Sequence, residues 1–277
     1  LMQDILTCAM GLDIHRDVIV ACLAKGELGT DPEIEIRSFS TLIPEMRKLR
    51  DWVLEAECRY VAMESTGIYW QPIYEMLEPC FDGQISILVV NARHMKNVPG
   101  RKTDMRDAQW IATLLRAGLL KGSFIPDKTF RELRHLTRYR KSIVHDITAQ
   151  KNRIDKFLQS SGFRFTAFLS DAFGASGRNI IRHLMEYGSI SREALDRCLK
   201  TQTRKRIDEI LIALNGSLSE HQRGFLRMIF GHLEALEQHR HTVEDAITKE
   251  ITKHEEALSL LCSIPGIDVT AAAAIIA

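Results

Sequence analysis

From Leu133 to Phe157 the sequence obeys one spacing rule. Leu133, Leu136, Arg140, Ile143, Ile147, Gln150, Ile154 and Phe157 stand at alternating steps of three and four, and six of these eight are apolar. A helix with one apolar seam satisfies that spacing over such a length, and a strand does not. Leu226, Ile229, Leu233, Leu236, Arg240, Val243 and Ile247 repeat the pattern. The second half of the chain is therefore expected to rest on two long coiled-coil-like helices. Between them, 160–218 reads as shorter helical pieces broken at "SSG", "FGASG" and "NGS". The seams fit an antiparallel hairpin within one chain, and equally fit helices that pair between subunits.

Before Pro126 the period is different. "CAMGLDIHRDVIVACLA" (8–24) reads as a strand running into a hairpin, and "EIEIRSFST" (33–41) alternates as a second strand. Residues 42–56 turn helical, with Leu42, Met46, Leu49, Trp52 and Val53 on one face. "YVAMEST" (60–66) and "ISILVVN" (85–91) are short buried strands around a helix at "YWQPIYEMLE". After "PGRK", Thr103 or Asp104 is expected to cap a helix running to about Ala117. Strands alternating with helices predict an α/β domain around a central sheet.

The formal net charge of +1 hides an uneven distribution. Residues 1–92 carry 7 Lys+Arg against 15 Asp+Glu, whereas 93–156 carry 16 against 6. An acidic block followed by a basic one points to a polyanion near the junction. Arg93, His94, Lys96, Arg101, Lys102 and Arg106 crowd one end of the basic block, and Arg131, Arg134, Arg138, Arg140, Lys141, Lys151, Arg153 and Lys156 stud the first long helix. Glu132, Asp146 and Asp155 are the acids of that helix, too few for an ordinary solvated face. Arg140 falls in the seam and can instead set register.

Four carboxylates stand where such a domain can gather them. Asp13 lies in the first strand, Glu64 ends "YVAME", and Asp104 and Asp107 sit three apart near the start of a helix. Strand ends and a helix start converge at one end of an α/β sheet, the usual place for a site. A bare cluster of this kind repels itself. Mg²⁺, with Mn²⁺ as a substitute, resolves the repulsion, because hard cations take carboxylate, water and phosphate oxygens. His15, two residues after Asp13, shares its strand face, as does Asp17. Tyr69 and Trp70, after Gly67, fit helix packing or the stacking of a base.

"GLDIH", "MESTGIYW", "NARHMKNVPGRKTDMRDAQWIATLLRAGLL" and "SIPGIDVTAAAAIIA" resemble the DEDD transposases of the insertion-sequence-110 family, relatives of the Piv-type invertases. The resemblance implies an RNase H-like (RuvC-like) catalytic domain over 1–125 and a helical coiled-coil region with an insertion over 126–257. Residues 258–277 would begin a C-terminal transposase domain that the sequence does not complete. It implies Mg²⁺ bound by Asp13, Glu64, Asp104 and Asp107, and DNA recombination guided by a structural bridge RNA. Arg93, Lys96, Arg101, Lys102, Arg106, Arg131, Arg134, Arg138 and Lys141 would contact nucleic acid. The family's attacking serine belongs to the C-terminal domain, and no serine of this sequence is assigned that role. Recombination on two duplexes implies a dimer or tetramer, in the cytoplasm and without a membrane. A junction-resolving nuclease that uses water, or a non-catalytic RNA-binding oligomerisation module, are the rival functions. An actin-like kinase is disfavoured, since no glycine follows Asp13 until Gly26 to cradle phosphates. The six cysteines form no C-x-x-C pair and read as reduced core thiols. In "SIPGIDV", which resembles the hairpin of a helix-hairpin-helix, Asp268 stands where glycine is usual and would oppose a phosphate.

Overall fold

The computed structural model describes residues 5–65, 67–91 and 107–277. It divides into two compact units, residues 1–125 and 126–277. The first is a five-stranded sheet of β1 (Cys8–Ile14), β2 (Val18–Lys25), β3 (Glu33–Ser40), β4 (Tyr60–Glu64) and β5 (Ser86–Val90), with helices α1 (Ile43–Glu55), α2 (Trp70–Leu77) and α3 (Asp107–Arg116). The strand order is β3-β2-β1-β4-β5. The first three strands form an antiparallel meander, and β4 and β5 add in parallel to β1. That order makes the unit an RNase H-like α/β domain.

Side-chain alternation assigns the two faces of the sheet. Met10, Leu12 and Ile14 of β1, Ile19, Ala21 and Leu23 of β2, and Val61 and Met63 of β4 join one core with Leu49, Trp52 and Val53 of α1 and Ile73 and Leu77 of α2. The opposite parity faces α3. Ala9, Ala62 and Val90 pack with Ile111 and Leu115, and Cys22 and Ala24 pack with Ala108 and Ala112. Asp13 and Glu64 carry this second parity, so the sheet alternation directs both toward the α3 side.

The second unit is helical: α4 (Lys128–Ser160), α5 (Ala175–Tyr187), α6 (Arg192–Cys198), α7 (Ile207–Ala213), α8 (Glu220–Ile251), α9 (Glu255–Cys262) and α10 (Val269–Ile276). The two seams meet within the chain. Leu133, Ile143, Ile147 and Ile154 of α4 share a core with Leu226, Ile229, Leu233, Val243 and Ile247 of α8. Arg140 pairs with Glu244, Lys151 with Glu237, and Gln222 with Ser161, so the helices run antiparallel. The polar seam residues fix that register. The Arg140 guanidinium lies 2.7 Å from Glu244 Oε1, and buried Gln150 donates to the Ile229 carbonyl at 2.6 Å. A reciprocal Ser219–Gln222 capping box starts α8. Residues 160–218 fold over the pair and contribute Phe163, Phe165, Ile180, Leu184 and Leu195 to the same core. Among the described residues no helix is long and apolar enough to cross a membrane.

Candidate active site

The site begins with a glycine. Gly11 lies in the middle of β1, on the face toward α3. A methyl group there would sit 2.2 Å from the Ala108 carbonyl oxygen, 2.4 Å from the Ala112 nitrogen and 3.0 Å from Ile111 Cβ. Gly11, Ala108 and Ala112 together let helix backbone press on strand backbone. The other end of α3 is fixed as firmly. The main-chain nitrogens of Ile5 and Leu6 donate to the Arg116 carbonyl at 2.9 and 3.2 Å. The Arg116 side chain, 2% exposed, donates to the carbonyls of Leu6, Thr30, Gly26 and Glu27 at 3.1, 3.2, 3.3 and 2.6 Å. With Arg116 beside the start of β1 and Ala108 over Gly11, α3 runs antiparallel to β1. Its first residue, Asp107, therefore lies toward the end of the strand that carries Asp13.

Glu64 reaches the same place through register. Met10, Gly11 and Leu12 pair with Val61, Ala62 and Met63, and the next step along both strands sets Asp13 beside Glu64. Neighbouring strands are about 4.8 Å apart, so two carboxylates share the carboxyl end of the sheet. Asp13 is 16% exposed, and its Oδ2 lies 3.2 Å from Nε2 of the exposed His15. Burial raises the Asp13 carboxyl above its ordinary value; the His15 imidazole opposes that rise, and the negative charges of Asp107 and Glu64 add to it. Each of these carboxylates thus lies within electrostatic reach of Asp13, although among the described residues no three His, Cys, Asp or Glu side chains close to metal-ligating distance. Carboxylate oxygens are donors that suit a hard divalent cation.

Asp104 and the basic residues Arg93, Lys96, Arg101, Lys102 and Arg106 lie outside the described residues, as do His94 and Thr103. The basic residues of α4 divide into two sets. Arg131 Nη1 donates to the Pro126 carbonyl at 2.8 Å, and Arg134 Nε donates to the Ala277 carbonyl at 2.7 Å. Arg138 and Lys141 are exposed. Trp70 packs edge-on to Tyr74 at 5.7 Å and lies against the core, which answers the packing-or-stacking alternative for Trp70 in favour of packing. Asp268 also has a structural use: its Oδ1 accepts the Ala271 amide at 2.7 Å as N-cap of α10. Sequence reasoning missed Gly11, Ala108, Ala112 and Arg116. A strand-interior glycine and one arginine in the apolar run "IATLLRAGLL" were the available signals.

An RNase H-like sheet with acids at the ends of its first and fourth strands, and a third on the covering helix, defines a class of nucleic-acid-processing domains. A family model described as transposase, that of the DEDD transposases of the insertion-sequence-110 type, matches residues 10–162. The match runs from β1 through α4 and covers more than half of the chain, which belongs to this transposase family. No curated protein matched the chain.

Proposed function

We propose that the chain is the carboxylate-bearing part of an RNA-guided DNA recombinase. In this reading Asp13, Glu64, Asp104 and Asp107 hold Mg²⁺ at the exchanged phosphodiester. The family's attacking serine is assigned to no residue of this sequence. The single observation that supports the reading is that Asp107 and Glu64 lie within electrostatic reach of Asp13, whose carboxyl is raised by burial and by their charges.

The side chains divide the work. Asp13 and Glu64 stand on neighbouring strands of one sheet, so their separation is set by the backbone ladder. Asp107 closes the group from α3, whose height over the sheet is fixed by Gly11 and whose far end is fixed by Arg116. His15, hydrogen-bonded to Asp13 Oδ2, orients that carboxylate. When bound, a divalent cation supplies Lewis-acid stabilisation of charge on phosphate oxygens. The exposed Arg138 and Lys141 contact phosphates of DNA or bridge RNA, and Arg93, Lys96, Arg101, Lys102 and Arg106 are assigned the same role. Two duplexes must be held at once, which calls for a dimer or tetramer.

Asp107→Asn in the full-length protein, charged with its RNA, tests this assignment. Strand exchange is expected to be abolished and RNA binding retained. Undiminished exchange would remove Asp107 from the chemistry. Strand cleavage without a protein–DNA adduct would favour a water-using nuclease.

A further inference from the structure

Cys8 opens β1, and Cys58 stands in the turn just before β4. The β1–β4 register pairs Met10 with Val61. Carried back two residues, it sets Cys8 level with Arg59 and one residue from Cys58. Strand spacing and rise then put the two Cα atoms roughly 6 Å apart, within the span of a disulfide. Glu57, with φ of 53°, adopts the left-handed region and turns the chain so that Cys58 enters the core. There Cys58 is fully buried, and its Sγ donates to the Tyr60 carbonyl at 3.3 Å. Cys8 packs against the same core but keeps part of its surface exposed.

The neighbouring Cys58 thiol draws the Cys8 thiol below its ordinary value; burial opposes this and the Lys25 ammonium assists it. Lys25 faces Cys8 directly across the β1–β2 ladder. The neighbouring Cys8 thiol and burial push the Cys58 thiol up. Burial alone raises Cys22, and it is the main cause of the rise at Cys80 and Cys198. Cys8 thus combines access, thiolate character and a neighbouring thiol, the combination that marks a redox-responsive cysteine.

We propose that Cys8 and Cys58 form a reversible disulfide when the protein meets hydrogen peroxide, linking the start of β1 to the start of β4. The Cys8 thiolate attacks one peroxide oxygen, the O–O bond breaks, and hydroxide leaves as Cys8 becomes a sulfenic acid. The Cys58 sulfur then attacks the Cys8 sulfur, the S–O bond breaks, and the departing hydroxide takes the Cys58 proton as water. Both sulfurs are oxidised and the peroxide is reduced. A dithiol reductant reverses the step by thiol–disulfide exchange. The link joins the two strands that carry Asp13 and Glu64 at their other ends, and it stands whatever reaction those carboxylates serve.

The test treats the reduced, folded chain with hydrogen peroxide, alkylates the remaining thiols and maps the peptides without reductant. A Cys8–Cys58 cross-linked peptide is expected, lighter by two hydrogens than its parts. Four of the six cysteines should remain free to alkylate, and dithiothreitol should restore the rest. In Cys58→Ser, Cys8 should stop at the sulfenic acid and be captured by dimedone. Recovery of Cys8 and Cys58 as separate alkylated peptides from peroxide-treated protein would overturn the proposal. So would a Cys8 link to another cysteine or to a second chain, or failure of dimedone to label Cys8 in Cys58→Ser.

Discussion

Replacing Gly11 with alanine sets a methyl carbon 2.2 Å from the Ala108 carbonyl oxygen and 2.4 Å from the Ala112 nitrogen. Both neighbours are helix backbone, so no side chain can rotate away. A relaxed contact needs roughly 3.5 Å, and α3 must retreat from β1 by on the order of 1 Å. Overpacking of this kind costs about 1–3 kcal/mol, and rigid backbone on both sides argues for the upper end. For a unit of this size that is a fall in melting temperature of about 10 °C. The functional loss should exceed the stability loss. At a temperature where Gly11→Ala is fully folded by circular dichroism, Asp107 is still displaced relative to Asp13. A misplacement of that size costs on the order of 10²-fold in rate. The assay is strand exchange by full-length protein carrying the substitution, run beside a thermal melt. A melting temperature within a degree of wild type together with full exchange would refute the packing of α3 on β1 as the device that positions Asp107.

Arg116→Met strands the carbonyls of Leu6, Gly26, Glu27 and Thr30 that the guanidinium now satisfies; a loss of about 3–5 kcal/mol is expected by urea denaturation, and Arg116→Lys should recover part of it. A methyl group added at Gly224 in α8 would meet nothing within 4 Å, so Gly224→Ala should stabilise the helical unit by about 0.5–1 kcal/mol, read as a higher urea midpoint at unchanged slope. Charge reversal of the exposed Arg138 and Lys141 together should weaken RNA binding and lower the slope of log affinity against log salt by about 2, whereas an unchanged slope would remove both from the interface.

Much of the fold is legible in the sequence because its signals are local. The apolar runs and the one alternating segment that mark β1 to β5, and the three-four spacing of α4 and α8, each lie within one element, and these elements form as expected. What the helices pair with is not local. The same seam serves a partner in the chain or in another subunit, and the answer lies in contacts such as Arg140–Glu244, 104 residues apart. Arg131 and Arg134 read as polyanion contacts because nearby acids are scarce, yet the carbonyl that Arg134 reaches is 143 residues away. Asp268 reads as an obstacle to phosphate, and it is an N-cap whose acceptor role follows from its place just before Val269. At the site, Asp13 and Glu64 are readable as acids at strand ends. Gly11 is not, since a glycine announces close approach without naming the partner, and Ala108 and Ala112 come about a hundred residues later.

Mn²⁺ binding followed by its electron paramagnetic resonance signal tests the meeting of the three carboxylates most directly. Wild-type protein is expected to bind Mn²⁺ saturably. Asp13→Asn, Glu64→Gln and Asp107→Asn, each shown to be folded, should each weaken that binding by tenfold or more, about 1.4 kcal/mol. Saturable binding that survives unchanged in all three substitutions would contradict a shared cation site at the carboxyl end of the sheet.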